Sequence, residues 1–215
     1  MEVSDFLDLE KKYSCKIIAV SKLQSKEKII SLARLGFQNF GENYIQEALE
    51  KQEQLSHLNL QWHLIGPIQK NKTRKILGKF SLIHSIDSIE IAERINSQIS
   101  ENSQRSQKQD VLLQVNLANE ATKHGFHEQN LENALAKLTL MSRLNVIGLM
   151  TMPPLENMAE MNRQYFTKLR SLRDKLALKE LSMGTSHDYQ VALDEGATMI
   201  RLGTVLFGER PLKGK

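Results

Sequence analysis

Two short runs near opposite ends of the chain carry the residues best suited to chemistry. The first, IAVSK, closes an apolar run on Lys22. A lysine whose pKa is lowered by burial becomes a neutral, nucleophilic amine that condenses with aldehydes to a Schiff base. The plainer alternative is a lysine that has reached the surface at a strand end. The second run, Ile200 to Arg210 (IRLGTVLFGER), sets Arg201, Gly203 and Thr204 inside an apolar stretch. A glycine there lets a backbone N–H approach a ligand closely, and Thr204 adds a hydroxyl and a second N–H. With Ser186, which ends the preceding apolar run beside Gly184, these residues make a candidate phosphate cradle. Taken singly, each reads as turn chemistry.

The elements that must position these residues alternate along the chain. Strand-type runs cover 16–22, QNFGEN around Phe40, 60–66, 81–87, 111–117, 145–152, 180–186 and 199–208. Helical patterns separate them: one ends at Gly36, and another runs from Tyr44 to about Gln54. A basic one follows (KNKTRKIL), then Ile89 to Ser100 behind a possible Asp87-Ser88 cap. The last three run from Glu128 to Met141, Met158 to Leu176 and Asp188 to Glu195. The polar stretch SENSQRSQKQD is the best loop candidate. Eight strands that are apolar on both faces predict parallel pairing under a cover of helices. That count favours an α/β fold of the (β/α)8 TIM-barrel type, one domain over residues 1–215, with an open doubly wound sheet as the alternative. No G-x-G-x-x-G follows the first strand and no P-loop occurs. The strand ends are polar where the strand middles are apolar, as a site at one mouth of a packed barrel requires. In order they read Ser21-Lys22, Glu42-Asn43, Gly66-Pro67, Asp87, Asn116, Met150-Thr151, Ser186 and Arg201 to Thr204.

Composition excludes several classes. At 40% hydrophobic and 25% charged, the chain is that of an ordinary soluble globular protein. A single cysteine, Cys15, rules out an intramolecular disulfide and suits a reducing, cytoplasmic setting. No apolar run approaches the roughly 18 residues of a membrane span, and the first residues lack the apolar core of a signal peptide. A net charge of +4 suits an anionic ligand but is too mild to imply nucleic acid. The basic run Lys70 to Lys75 is read as a solvated helix face, with an anion patch at a helix start as the alternative, and Lys123-His124 as a surface loop, with a place near the barrel mouth as the alternative. His63, in an apolar strand, is read as an interior hydrogen-bonded histidine. No other metal-ligand spacing occurs, so no metal is expected.

The motifs IAVSK, FGENYIQEA, WHLIGPIQKNK, IHSIDS, GLMTM, LSMGTSHD and IRLGTVLFGER occur in this order across nearly the whole chain. Together they resemble the YggS/PROSC-type pyridoxal phosphate (PLP) homeostasis proteins. That family is similar in fold to the barrel of alanine racemase, the fold-type III PLP enzymes. The resemblance implies PLP as cofactor, held as an internal aldimine on Lys22. It implies Arg201 facing the pyridine nitrogen and Gly203, Thr204 and Ser186 on the phosphate. Asn43 and His63 would line the cofactor, and Met183 would pack near the ring. Two departures touch accessory contacts: SKLQS lacks the second lysine and proline often seen after the Schiff-base lysine, and Gln190 stands where a glutamate is usual.

Because arginine does not usefully lose its proton, an Arg201 donor at the pyridine nitrogen requires that nitrogen to be unprotonated. The ring is then a weaker electron sink, which argues against aminotransferase and decarboxylase chemistry. The expected function is a monomeric PLP carrier or regulator without robust catalysis of its own, which would serve apo PLP-dependent enzymes. An amino-acid racemase is the alternative. A racemase needs an acid/base group on each face of the substrate; Lys22 serves one, and the seven residues after Gly208 leave no room for a second domain to supply the other. An RNA-binding barrel is the weakest reading, since no RRM or KH signature accompanies the mild charge. Neither nucleic acid nor membrane is an expected partner.

Overall fold

The computed structural model describes residues 2–101, 108–118, 120, 123–154 and 157–209; Arg210 and part of the expected polar loop lie outside them. The strands are β1 (Lys16–Val20), β2 (Asn39–Glu42), β3 (Gln61–Leu64), β4 (Leu82–Ile86), β5 (Gln109–Val115), β6 (Leu144–Thr151), β7 (Glu180–Thr185) and β8 (Met199–Leu202). They pair in chain order, all parallel, and β8 closes back on β1. The expected TIM barrel is thus the observed one. Its helices among the described residues are α1 (Asp5–Tyr13), α2 (Lys26–Leu35), α3 (Ile45–Gln54), α4 (Thr73–Ile76), α5 (Ile89–Glu101), α6 (Leu131–Thr139), α7 (Arg163–Lys175), α8 (Tyr189–Asp194) and α9 (Thr204–Phe207).

The double burial of each strand follows from period-two alternation between two apolar layers. Ile18, Leu82, Leu112, Met150 and Met199 form the small cluster inside the barrel. Their sequence neighbours Ile17, Ile83, Leu113, Leu149 and Ile200 belong to the large cluster shared with the helices. Closure fixes what meets across the seam: Ile18 pairs with Arg201 and Ala19 with Leu202.

Several expected boundaries shift: the first strand ends at Val20 and not at Lys22, and the helix expected from Met158 is α-helical only from Arg163. The strand foreseen over 199–208 stops at Leu202, turns at Gly203 and continues as the helical turn α9. A short apolar run such as VLF has no periodicity to separate strand from helix, and the burial of Leu206 and Phe207 satisfies either. The basic helix begins as a 3-10 turn, Lys70–Lys72, before α4. Among the described residues no helix is long and apolar enough to cross a membrane.

Glycine marks the closest backbone approach in the barrel wall. A Cβ built on Gly148 of β6 would stand 2.1 Å from the carbonyl oxygen of Glu180 on β7. Gly148→Ala should therefore separate these strands and lower stability by about 1–3 kcal/mol, the usual cost of overpacking. An unchanged thermal midpoint would show that the two backbones are not in this contact.

Candidate functional site

Lys22 lies two residues beyond β1, half-buried, in a turn where Gln24 N–H donates to Ser21 O at 3.0 Å. The β1–β8 seam sets Gly203 beside this strand end. A Cβ on Gly203 would meet nothing closer than Val20 Cβ at 3.8 Å, so the space over that backbone is open. From β7, the Ser186 hydroxyl accepts the Gly203 N–H at 2.9 Å. The buried Asp188 carboxylate holds the Ser186 loop in place. It accepts the Thr185 N–H at 2.7 Å and hydroxyl at 3.0 Å, and Asn162 Nδ2 at 2.8 Å. Lys22, Ser186, Gly203 and the exposed Thr204 thus gather on one side of the mouth, where β7, β8 and β1 end.

Beneath them Arg201 is 4% exposed. Its Nη1 donates to Ser182 Oγ at 2.6 Å and its Nη2 to the Thr151 carbonyl at 2.9 Å. A chain of bonds runs on across the interior. Ser182 Oγ is 2.8 Å from His84 Nδ1, His84 Nε2 is 2.9 Å from His63 Nδ1, and His63 Nε2 is 3.1 Å from Asn39 Oδ1. The direction of the chain is determined by its last member. Asn39 Oδ1 can only accept, so His63 donates from Nε2 and, being neutral, accepts at Nδ1. His84 then donates from Nε2 and accepts the Ser182 proton at Nδ1, which leaves the Ser182 oxygen to receive Arg201.

Burial pushes the His63 pKa down to about 3, helped by the charge of Lys16. It drives that of His84 well below the ordinary range, with His63 and Arg201 adding to the effect. Burial also lowers the Arg201 pKa to about 10, so the guanidinium stays charged at neutral pH.

Two expectations change here. His63 does not line the mouth: Ile65, two residues on and on the same face, does, and His63 sits one layer beneath it, bonded to Asn39 and His84. Met183 does not face the interior. Its neighbour Ser182 does, so alternation turns Met183 outward into the core shared with the helices. Ser182 itself escaped the sequence reading, although a serine in the middle of an apolar strand signals a buried hydroxyl that must find partners.

Asn43 follows β2, the strand beside β1, and lines a cavity of about 210 Å³ with Ile65, Pro67, Asn116, Lys123 and Met152. Its Oδ1 is buried without a hydrogen-bond partner among the described residues. Lys123 and His124, read as surface loop, both line this cavity. Each faces a carboxylate: Lys123 Nζ is 2.7 Å from Glu120 and His124 Nδ1 is 3.2 Å from Asp87.

A profile of the alanine racemase N-terminal domain matches residues 7–211. The pyridoxal phosphate homeostasis protein of Aquifex aeolicus is 43% identical over 201 residues, spanning 91% of this chain and 87% of its own. PipY of Synechococcus elongatus, solved with PLP bound, superposes with a TM-score of 0.85 at 35% identity, over 96% of this chain and 100% of that one. The same protein without PLP gives 0.88 at 36%.

The neutral histidines make stability depend on pH. Below the ordinary value of 6.5 the unfolded chain takes up protons that the folded His63 refuses down to about 3. This contribution is complete above pH 6.5 and is lost as the pH falls, at about 1.4 kcal/mol per pH unit for each histidine. Urea unfolding at pH 7, 6 and 5 should show that slope, and the double variant His63→Gln, His84→Gln should lose most of it. Equal slopes in both proteins would mean that the histidines titrate alike in the folded and unfolded states.

Proposed function

Because this chain belongs to the family of pyridoxal phosphate homeostasis proteins, built on the alanine racemase N-terminal domain, we propose that it holds PLP covalently on Lys22 at the barrel mouth and keeps it for release rather than for turnover. The observation that carries this reading is the β1–β8 seam. It sets the strand end before Lys22 against Gly203, whose N–H is already engaged by Ser186. The residues present fit the cofactor: the space over Gly203 is open, Arg201 keeps guanidinium N–H groups beyond the two it spends on Ser182 and Thr151, and Asn43 Oδ1 lacks a partner.

Bound PLP supplies an aldehyde carbon, which a neutral lysine amine attacks with loss of water, and a phosphate that anchors it. Lys22 supplies the amine. Ser186 and Thr204 would recognise the phosphate with hydroxyl and backbone groups over the open backbone of Gly203, whose N–H is held by Ser186, and Arg201 would donate to the pyridine nitrogen. That donor keeps its proton at neutral pH, because its pKa, though lowered, remains about 10. The ring nitrogen therefore stays unprotonated, and carbanion chemistry next to it is disfavoured.

Racemisation also needs a proton donor on the face away from Lys22. The titratable side chains lining the mouth cavity, Lys123 and His124, are each turned to a carboxylate. The chain acts on this reading as one PLP-binding barrel, a monomer that leaves the cofactor's outer face open to apo PLP-dependent enzymes. Cys15, buried and with its thiol pushed up to about 11, is inert, in keeping with a cytoplasmic setting.

Borohydride reduction of the PLP-loaded protein, followed by peptide mass analysis, should place the pyridoxyl group on Lys22. The label on another lysine alone would refute the assignment. The loaded protein should also exchange the α-protons of alanine and serine in heavy water at least about 10²-fold more slowly than an alanine racemase, since on this reading none of the described side chains serves as the second acid/base group. Exchange at the racemase rate would replace the carrier by the enzyme.

A further inference from the structure

A second charged network, outside the cradle described above, grips the backbone on both sides of Lys22. Lys51, on α3, donates from Nζ to the Ser21 carbonyl at 2.7 Å, to Glu42 Oε1 at 2.8 Å and to Glu47 Oε1 at 2.6 Å. Glu42 Oε1 also accepts the Ser21 hydroxyl at 2.7 Å. Glu47 Oε1 also accepts the Leu23 N–H at 2.6 Å. The Ser21 N–H is taken by Gly41 O at 3.0 Å. The N–H, hydroxyl and carbonyl of Ser21 and the N–H of Leu23 thus each have a partner on β2 or α3, the carbonyl also accepting the Gln24 N–H.

Two features make this more than routine ion pairing. Leu23 has φ +60°, a left-handed conformation that a leucine adopts only when its surroundings hold it there. The Glu47 bond to its N–H does the holding. The ions are also placed where they cost the fold. Glu42 is 0% and Lys51 8% exposed, and Glu42 Oε2 has no partner among the described residues. A buried ion pair is a poor source of stability compared with apolar residues of the same shape. What these three side chains have in common is the geometry of the turn that carries Lys22.

We propose that Lys51, with Glu42 and Glu47, is the positioning device that aims the Lys22 amine at its aldehyde. This rests on the reading of Lys22 as the residue that holds PLP. The network acts on the covalent bond alone: the phosphate groups belong to β7, β8 and α9, and none of its bonds reaches them.

The test exploits that separation. Pyridoxine 5′-phosphate keeps the ring and phosphate of PLP but carries an alcohol in place of the aldehyde, so it cannot bond to an amine. The affinity ratio of PLP to pyridoxine 5′-phosphate is measured on the full chain for the native protein, Lys22→Ala, Glu47→Gln, Lys51→Arg and the double variant Glu42→Gln, Lys51→Met, with thermal midpoints alongside. The double variant removes both buried charges together, and Glu47→Gln touches only the rim, so the folded state is retained in at least one.

The ratio should fall at least about tenfold towards that of Lys22→Ala in the double variant, and by less in Glu47→Gln, whose amide oxygen can still accept the Leu23 N–H, while pyridoxine 5′-phosphate binds as before. Lys51→Arg, which can still donate to the Ser21 carbonyl, should recover part of it. A ratio that stays native in the variants while the midpoint drops would reduce the network to a structural role and overturn the proposal. A native protein that does not prefer PLP over the alcohol would instead overturn the reading of Lys22, and this inference with it.

Discussion

A guanidinium that keeps its charge inside a closed barrel sets the terms for everything around it. Arg201 is buried to 4% exposure, and no carboxylate touches it among its bonds; it is held by a hydroxyl and a backbone carbonyl. Burial lowers its pKa, against the favourable field of the Asp188 carboxylate, and makes a further cation unwelcome nearby. Both interior histidines obey that constraint. They stay neutral, and their tautomers are dictated by a chain of bonds that ends on an amide oxygen. A fully satisfied polar chain of this kind makes a rigid floor.

The opposite sign gathers on the other side of β1. Glu42 and Glu47 share the single ammonium of Lys51, so the network beneath the Lys22 turn carries an excess of negative charge. Burial answers by pushing the Glu42 carboxyl up. The turn that carries Lys22 thus stands between an acidic network on β2 and α3 and a cation in the barrel interior. On the proposed reading the two halves of the mouth divide the work: the ends of β7 and β8 with α9 recognise the cofactor, while β2 and α3 aim the amine.

The stability of the barrel and the placement of its site come from different parts of the same strands. The middles supply apolar side chains to both layers. The ends supply polar groups, and each buried one is matched to a specific partner, apart from a few such as Asn43 Oδ1 and Glu42 Oε2. Unmatched buried acceptors are costly, and two of them, Asn43 Oδ1 and Glu42 Oε2, stand on adjacent residues at the end of β2.

Much of this was legible in the sequence, for identifiable reasons. Runs such as KIIAV and VLLQV, short, β-branched and apolar at consecutive positions, suit strands buried on both faces, and eight of them between helices leave few arrangements besides a barrel. Chain order then makes the first and last strands neighbours, so Lys22 and Gly203 could be paired before any coordinates. The inward or outward sense of each residue was not legible, because alternation states a period and not a phase. Only once Ser182 is seen to bond Arg201 does Met183 turn outward, and only the register of β3 on β2 puts His63 below the mouth. Partners from separate elements were equally hidden: Lys51 and Ser21 are 30 residues apart, and Ser182 and His84 are 98. Local chemistry in the chain determined which residues could form a site; closure of the barrel decided which of them face it, since facing is a property of how the strands pack together.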